Sequence, residues 1–169
     1  MKFLTCILAT TLAFLASVHA GDQVFKQPSE FIKQAFGGKI PTTSVLNLSG
    51  DIKSRAKNIM AHNYRESRVR YWKQGNRTVW ILEEIGKTEP ITTGFLIENG
   101  RIKSVEILIY RESHGWEVNK PFFTKQFSNA SLKDGDQLSA DIKNIAGATL
   151  SVRAVTKLAR LALYFHSQV

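Results

Sequence analysis

The chain has 169 residues and a mass of 19.0 kDa; it is 43% hydrophobic and 22% charged, with 23 Lys+Arg against 14 Asp+Glu for a formal net charge of +9. That is one domain's worth of chain, with too large an apolar share for a disordered one. Its one cysteine, Cys6, excludes a disulfide scaffold, a Cys-ligated zinc site, a CxxC redox pair and a c-type haem attachment motif.

Residues 1–20 read as a secretory signal peptide: Lys2 gives a positive start, Phe3 to Ala16 is an apolar run, and Val18-His19-Ala20 supplies a small-residue cleavage site. The run is shorter than the ~20 apolar residues a membrane span needs, so an exported, periplasmic protein without cysteine or transmembrane helix is expected. Residues 21–88 form an N-terminal helical and hairpin extension, and residues 89–169 the second part of the same compact unit.

In chain order, Pro28-Ser29-Glu30 ahead of Phe31, Ile32, Ala35 and Phe36 predicts a short helix stopped by Gly37-Gly38. Ser49 stands at the cap position of a second helix over 51–62, with Ile52, Ala56, Ile59 and Met60 on one face. The period then shortens. Strand-like runs at 68–73 and 78–84 flank Gln74-Gly75-Asn76-Arg77, and runs at 92–98 and 101–110 flank Asn99-Gly100, a strong hairpin signal. In the last of these strands Val105, Ile107 and Ile109 are expected on one face. A polar loop over 111–117 and a short helix over 121–127 follow. A loop rich in Asp, Gly and Ser then leads to an amphipathic helix over 151–166. Its apolar stripe is Val152, Val155, Leu158, Ala159, Ala162 and Phe165, and its basic stripe is Arg153, Lys157 and Arg160. Helices around antiparallel hairpins make an α+β domain, an antiparallel sheet with flanking helices and a C-terminal amphipathic one.

Outside residues 1–20 the histidines are His62, His114 and His166, too far apart for HxH or HxxxH ligation, and there is no GxSxG elbow, Walker loop or GxGxxG fingerprint. The informative stretch is 145–151, Ile-Ala-Gly-Ala-Thr-Leu-Ser, immediately before the last helix. Small residues there let another group approach the backbone. A Thr149 or Ser151 hydroxyl at a helix start, with its free N–H groups and positive dipole end, suits a phosphate. The same residues serve equally as an ordinary helix cap, with Gly147 in a turn, and capping is the commoner use of Ser and Thr there.

Gly147-Ala148-Thr149-Leu150-Ser151 followed by an apolar helix resembles the signature of the FMN-binding domain family, which includes flavin-carrying subunits of sodium-pumping NADH:quinone reductase and of the Rnf complex. The stretch 94–102, Gly-Phe-Leu-Ile-Glu-Asn-Gly-Arg-Ile, resembles that family's strand–turn–strand, and Arg111-Glu112-Ser113-His114-Gly115-Trp116-Glu117 its acidic, Gly-containing loop. Small exported members with an Arg-Tyr-Trp in an N-terminal part, here Arg70-Tyr71-Trp72, are the most similar. The resemblance implies FMN esterified through its phosphate to Thr149 by a flavin transferase. It also implies an isoalloxazine near residues 112–116, with Trp116 as a stacking ring and Glu112, Ser113, His114 and Gly115 around it, and an electron carrier without catalytic residues of its own. Lys143 and Ala146 stand where flavin-receiving members carry Asp and Ser or Thr, and they favour the alternative of a flavin-free interaction module with the same fold.

The charge is local. Between Lys53 and Arg77 there are eight basic residues and one acid, Glu66, which is +7 of the +8 left after removal of residues 1–20 (22 basic, 14 acidic). A patch of that kind is expected to dock an acidic or membrane-bound redox partner rather than nucleic acid, if it is more than a solvated face.

Overall fold

The computed structural model describes residues 21–169; the expected signal peptide lies outside the described residues. One six-stranded antiparallel sheet runs through the molecule. Its strands are β1 (Gln23–Val24), β2 (Thr43–Asn47), β3 (Arg68–Gln74), β4 (Arg77–Ile85), β5 (Pro90–Glu98) and β6 (Arg101–Tyr110), in the order β1-β6-β5-β4-β3-β2. Among the described residues four α-helices accompany it: α1 (Pro28–Ala35), α2 (Gly50–Met60), α3 (Pro121–Thr124) and α4 (Thr149–His166). The fold is α+β, with both predicted hairpins, the predicted helices and the C-terminal helix in place.

The two faces of the sheet carry two cores. On one, α2, α4 and the 116–127 segment cover Trp80, Leu82, Ile91, Phe95, Ile97, Val105 and Ile107. On the other, α1 places Phe31, Ile32, Ala35 and Phe36 against Val79, Leu108 and Ile109. Each large side chain moved from water into these cores contributes about 1.5–3 kcal/mol. The Arg-Tyr-Trp run divides between the two because strand neighbours point to opposite faces. Tyr71 stacks on Trp80 (4.8 Å between centroids), which in turn meets Phe165 of α4 (5.5 Å), while Trp72 packs with the α1 core.

The expected common face of Val105, Ile107 and Ile109 does not survive. Thr92 pairs with Ile109 but Thr93 pairs with Ile107, so Leu108 is an extra residue in β6 and the register shifts there. The bulge turns Ile109 to the α1 core while Val105 and Ile107 remain in the larger core on the opposite face, where β6 packs against the 116–127 segment. Strands β1 and β2, which form the two edges, are short segments that the alternation pattern does not reveal; partners across the sheet define them. No helix among the described residues is long and apolar enough to cross a membrane.

Candidate functional site

Helix α4 begins at Thr149, two residues earlier than its apolar stripe suggests, and neither candidate hydroxyl caps it. The N-cap is Ala148, whose side chain accepts nothing, and the first turn holds no acidic residue. The N–H groups of that turn therefore keep their positive dipole end uncompensated. Gly147, at φ +82°, turns the chain into the helix through a conformation that costs an L-residue about 1–2 kcal/mol. Thr149 is the first helical residue; Asn144 Nδ2 donates to its Oγ1 at 2.9 Å, which orients the oxygen and leaves its own proton unengaged.

Ser151 points the other way. It is buried, and its hydroxyl meets Tyr110 Oη at 2.9 Å. Tyr110 donates its single proton to the His114 carbonyl at 2.5 Å, so the Ser151 hydroxyl is the donor in the Ser–Tyr bond. Burial holds the Tyr110 phenol above its usual range despite the Ser151 bond, which acts in the opposite direction.

This three-way contact joins the 111–117 loop to the start of α4, and Gly115 permits it. At φ +88° this buried glycine lies so close that a Cβ would stand 2.8 Å from Tyr110 Oη, 3.0 Å from Ser151 Oγ and 3.3 Å from the Ala148 Cβ. Two large apolar side chains, each one residue from that junction, remain in solvent: Trp116 is 41% exposed and Leu150 44% exposed. Trp116 is thus no core aromatic. One of its faces carries the Lys120 ammonium, 4.7 Å from the ring centroid. Ser113 and His114 are exposed and bonded to each other, Oγ to Nδ1, at 2.9 Å.

Glu112 serves a different neighbour. Its carboxylate accepts the backbone N–H groups of Lys87, Thr88 (2.7 Å) and Glu89 (3.0 Å), and the Thr88 hydroxyl (3.1 Å). Burial alone pushes its pKa up, but these donors outweigh it and hold the carboxyl below its ordinary value. Glu112 therefore fastens the β4–β5 connection to the loop rather than facing the start of α4. A single sequence does not reveal this, because a glutamate in a polar loop carries no mark of three amides 23 to 25 residues upstream. Lys143, in the turn before α4, is tied by its backbone N–H to Gln126 Oε1 at 2.7 Å, and its side chain is exposed.

Of the residues singled out from sequence, Gly147, Ala148, Thr149, Leu150, Ser151, Gly115 and Trp116 gather at one end of α4; Ser113 borders them and Glu112 stands behind. Residues 86–164 match the model of the FMN-binding domain family, which spans the β4–β5 turn to the last turns of α4. No curated protein matches the chain. FMN is the cofactor of this domain, and the donor set fits it. An uncapped helix start with no acidic residue in its first turn suits the phosphate, an oriented hydroxyl suits an ester, and exposed aromatic and aliphatic surface suits the flavin ring.

Proposed function

We propose, from the premise that residues 86–164 belong to the FMN-binding domain family, that this flavin-binding protein is an exported electron carrier with FMN esterified to Thr149. The observation that supports the tether most is the start of α4: a threonine hydroxyl, held by Asn144 and with its proton unengaged, beside N–H groups that no side chain at the N-cap satisfies. Attachment would join Thr149 Oγ1 to the phosphate of an FMN group supplied by a flavin transferase: the Oγ1–P bond would form as the donor's P–O bond breaks, the donor's leaving group taking up the hydroxyl proton with no change of oxidation state.

Bound flavin supplies reversible one- and two-electron chemistry, so the chain needs no acid or base of its own. Its residues hold the phosphodiester at the helix start, and Gly115 keeps the loop close enough for Trp116 to shield one side. A covalent tether suits an exported carrier, from which a dissociating cofactor is lost by dilution.

The basic stretch supports an acidic or membrane-bound redox partner. Arg55 is paired with Asp136 and Arg77 with Glu98, but Lys53, Lys57, Arg65, Arg68 and Lys73 are exposed and carry no ion pair among the described residues. Such a surface speeds encounter with an anionic partner, and salt weakens it.

The test is co-expression of the full chain with a flavin transferase, followed by intact mass and visible absorbance of the exported product. A yellow protein heavier by one FMN less one water, and an unmodified Thr149→Ala variant, are the expected results. A colourless, unmodified wild type from a competent host supports the flavin-free interaction module, which Lys143 and Ala146 favour. A covalent adduct that survives Thr149→Ala overturns the attachment site.

A further inference from the structure

A second binding surface lies further along α4. A groove of about 420 Å³ separates the 133–142 loop from the helix, with Thr156 and Arg160 as its helical wall. That volume falls within the range of small-molecule sites. The wall is built by specific contacts. Leu132 bridges to Leu138, Ser131 N–H donates to Ser139 Oγ (2.9 Å), and Arg160 Nε donates to the Asp136 carbonyl. The Asp136 carboxylate is taken by Arg55 (2.8 Å to Nη2), so it does not neutralise Arg160. The Lys133 ammonium likewise has no ion pair among the described residues, while its backbone N–H is fixed on the Gln137 carbonyl at 2.7 Å.

Two cations that are in no ion pair thus face a lining whose loop side offers the half-buried Leu138, Ala140 and Ile142, the Ser139 hydroxyl, and one carboxylate, Asp141. The surplus of one positive charge beside apolar surface selects for an anionic group on an apolar body. A bare inorganic anion leaves Leu138 and Ile142 unused, and a neutral apolar molecule leaves Lys133 and Arg160 unanswered. We infer that this groove binds a small organic anion with an apolar body, held by Lys133 and Arg160 and covered by Leu138 and Ile142. Thr156 follows Thr149 by seven residues, so the two lie on one face of α4, about 10 Å apart along its axis. The site therefore neighbours the tether without sharing its residues, and the inference stands whether or not Thr149 carries flavin.

The experiment is a titration of the full chain, unmodified and flavin-loaded, with naphthalene-2-sulfonate, followed by amide chemical shifts. Sodium sulfate and 2-naphthol serve as the separate halves of the probe. Saturable shifts confined to 133–142 and 153–160 are expected, tighter for the sulfonate than for either half. Affinity should fall about tenfold in Lys133→Gln, whose side chain takes no part in the loop's internal bonds, and again in Lys133→Gln/Arg160→Gln. Shifts spread over α2 and β3, or unchanged affinity in Lys133→Gln, overturn the site. Loss of sulfonate binding on flavin loading overturns it as a second site and gives the groove to the flavin ring.

Discussion

Replacement of Gly115 by alanine tests the junction on which the candidate site depends. The new Cβ enters at φ +88°, 2.8 Å from Tyr110 Oη and 3.0 Å from Ser151 Oγ. The left-handed backbone costs about 1–2 kcal/mol. The phenol cannot swing away, because the Tyr110 ring is fully buried, so the loop must lift. Lifting it breaks the Tyr110–His114 and Ser151–Tyr110 hydrogen bonds, each worth about 1 kcal/mol. The total is about 3–4 kcal/mol, or about 10 °C in Tm for a domain of this size. Gly75→Ala is the matched control. Its φ is +57°, nothing lies within 4 Å of the added Cβ, and it should lose only about 1 kcal/mol. Equilibrium urea unfolding of both variants measures the difference. If Gly115→Ala costs no more than Gly75→Ala, the close contact of loop and helix is not what positions Trp116. Flavin loading of Gly115→Ala should also fall, because the helix start loses its neighbour.

Glu112→Gln should cost about 2 kcal/mol near neutral pH, since an amide replaces a carboxylate accepting three backbone N–H groups of a partly solvated turn. The folded pKa of Glu112 is depressed, so its stabilisation is present above the ordinary 4.5 and is lost as pH falls through the folded value. Denaturation midpoints of the variant should therefore lack the wild type's acid decline in that window. His166 has a lowered pKa, from burial first and Lys73 second. The Gly100 N–H donates to its Nε2 (3.1 Å), which leaves the neutral ring's proton on Nδ1, donated to Thr78 Oγ1 (2.7 Å). The unfolded chain binds that proton more readily, so stability should drop as pH falls from about 6.5 towards the folded value, and His166→Phe should be less stable but free of that slope. His62, raised by its bond to the Asn63 carbonyl and by Glu84, titrates with the opposite sign, its contribution lost as pH rises through its folded value. The wild-type minus His166→Phe difference removes it, and a flat difference across that window would count against the proton placement.

What the sequence determined by itself was everything governed by local periodicity. The faces of α1, α2 and α4, both hairpins around Gly75 and Asn99-Gly100, and the small-residue run before α4 are set by neighbours within a few positions. The resemblance of 147–151 to a flavin signature is read the same way, from contiguous residues. Tertiary structure decided what depends on partners remote in sequence. The bulge at Leu108 moved Ile109 to the opposite core, because register is settled between strands and not along one. Thr149 and Ser151 look interchangeable as caps, yet neither caps α4. Ser151 is drawn inward by Tyr110, 41 residues upstream, and Thr149 is left at the surface with Asn144. Glu112, which reads as a cofactor ligand, is claimed by the amides of 87–89. Trp116, equally plausible in a core, is held in solvent because Gly115 presses the loop against the helix. A side chain's chemistry is fixed by its type, but its availability depends on which distant groups the fold brings to it first.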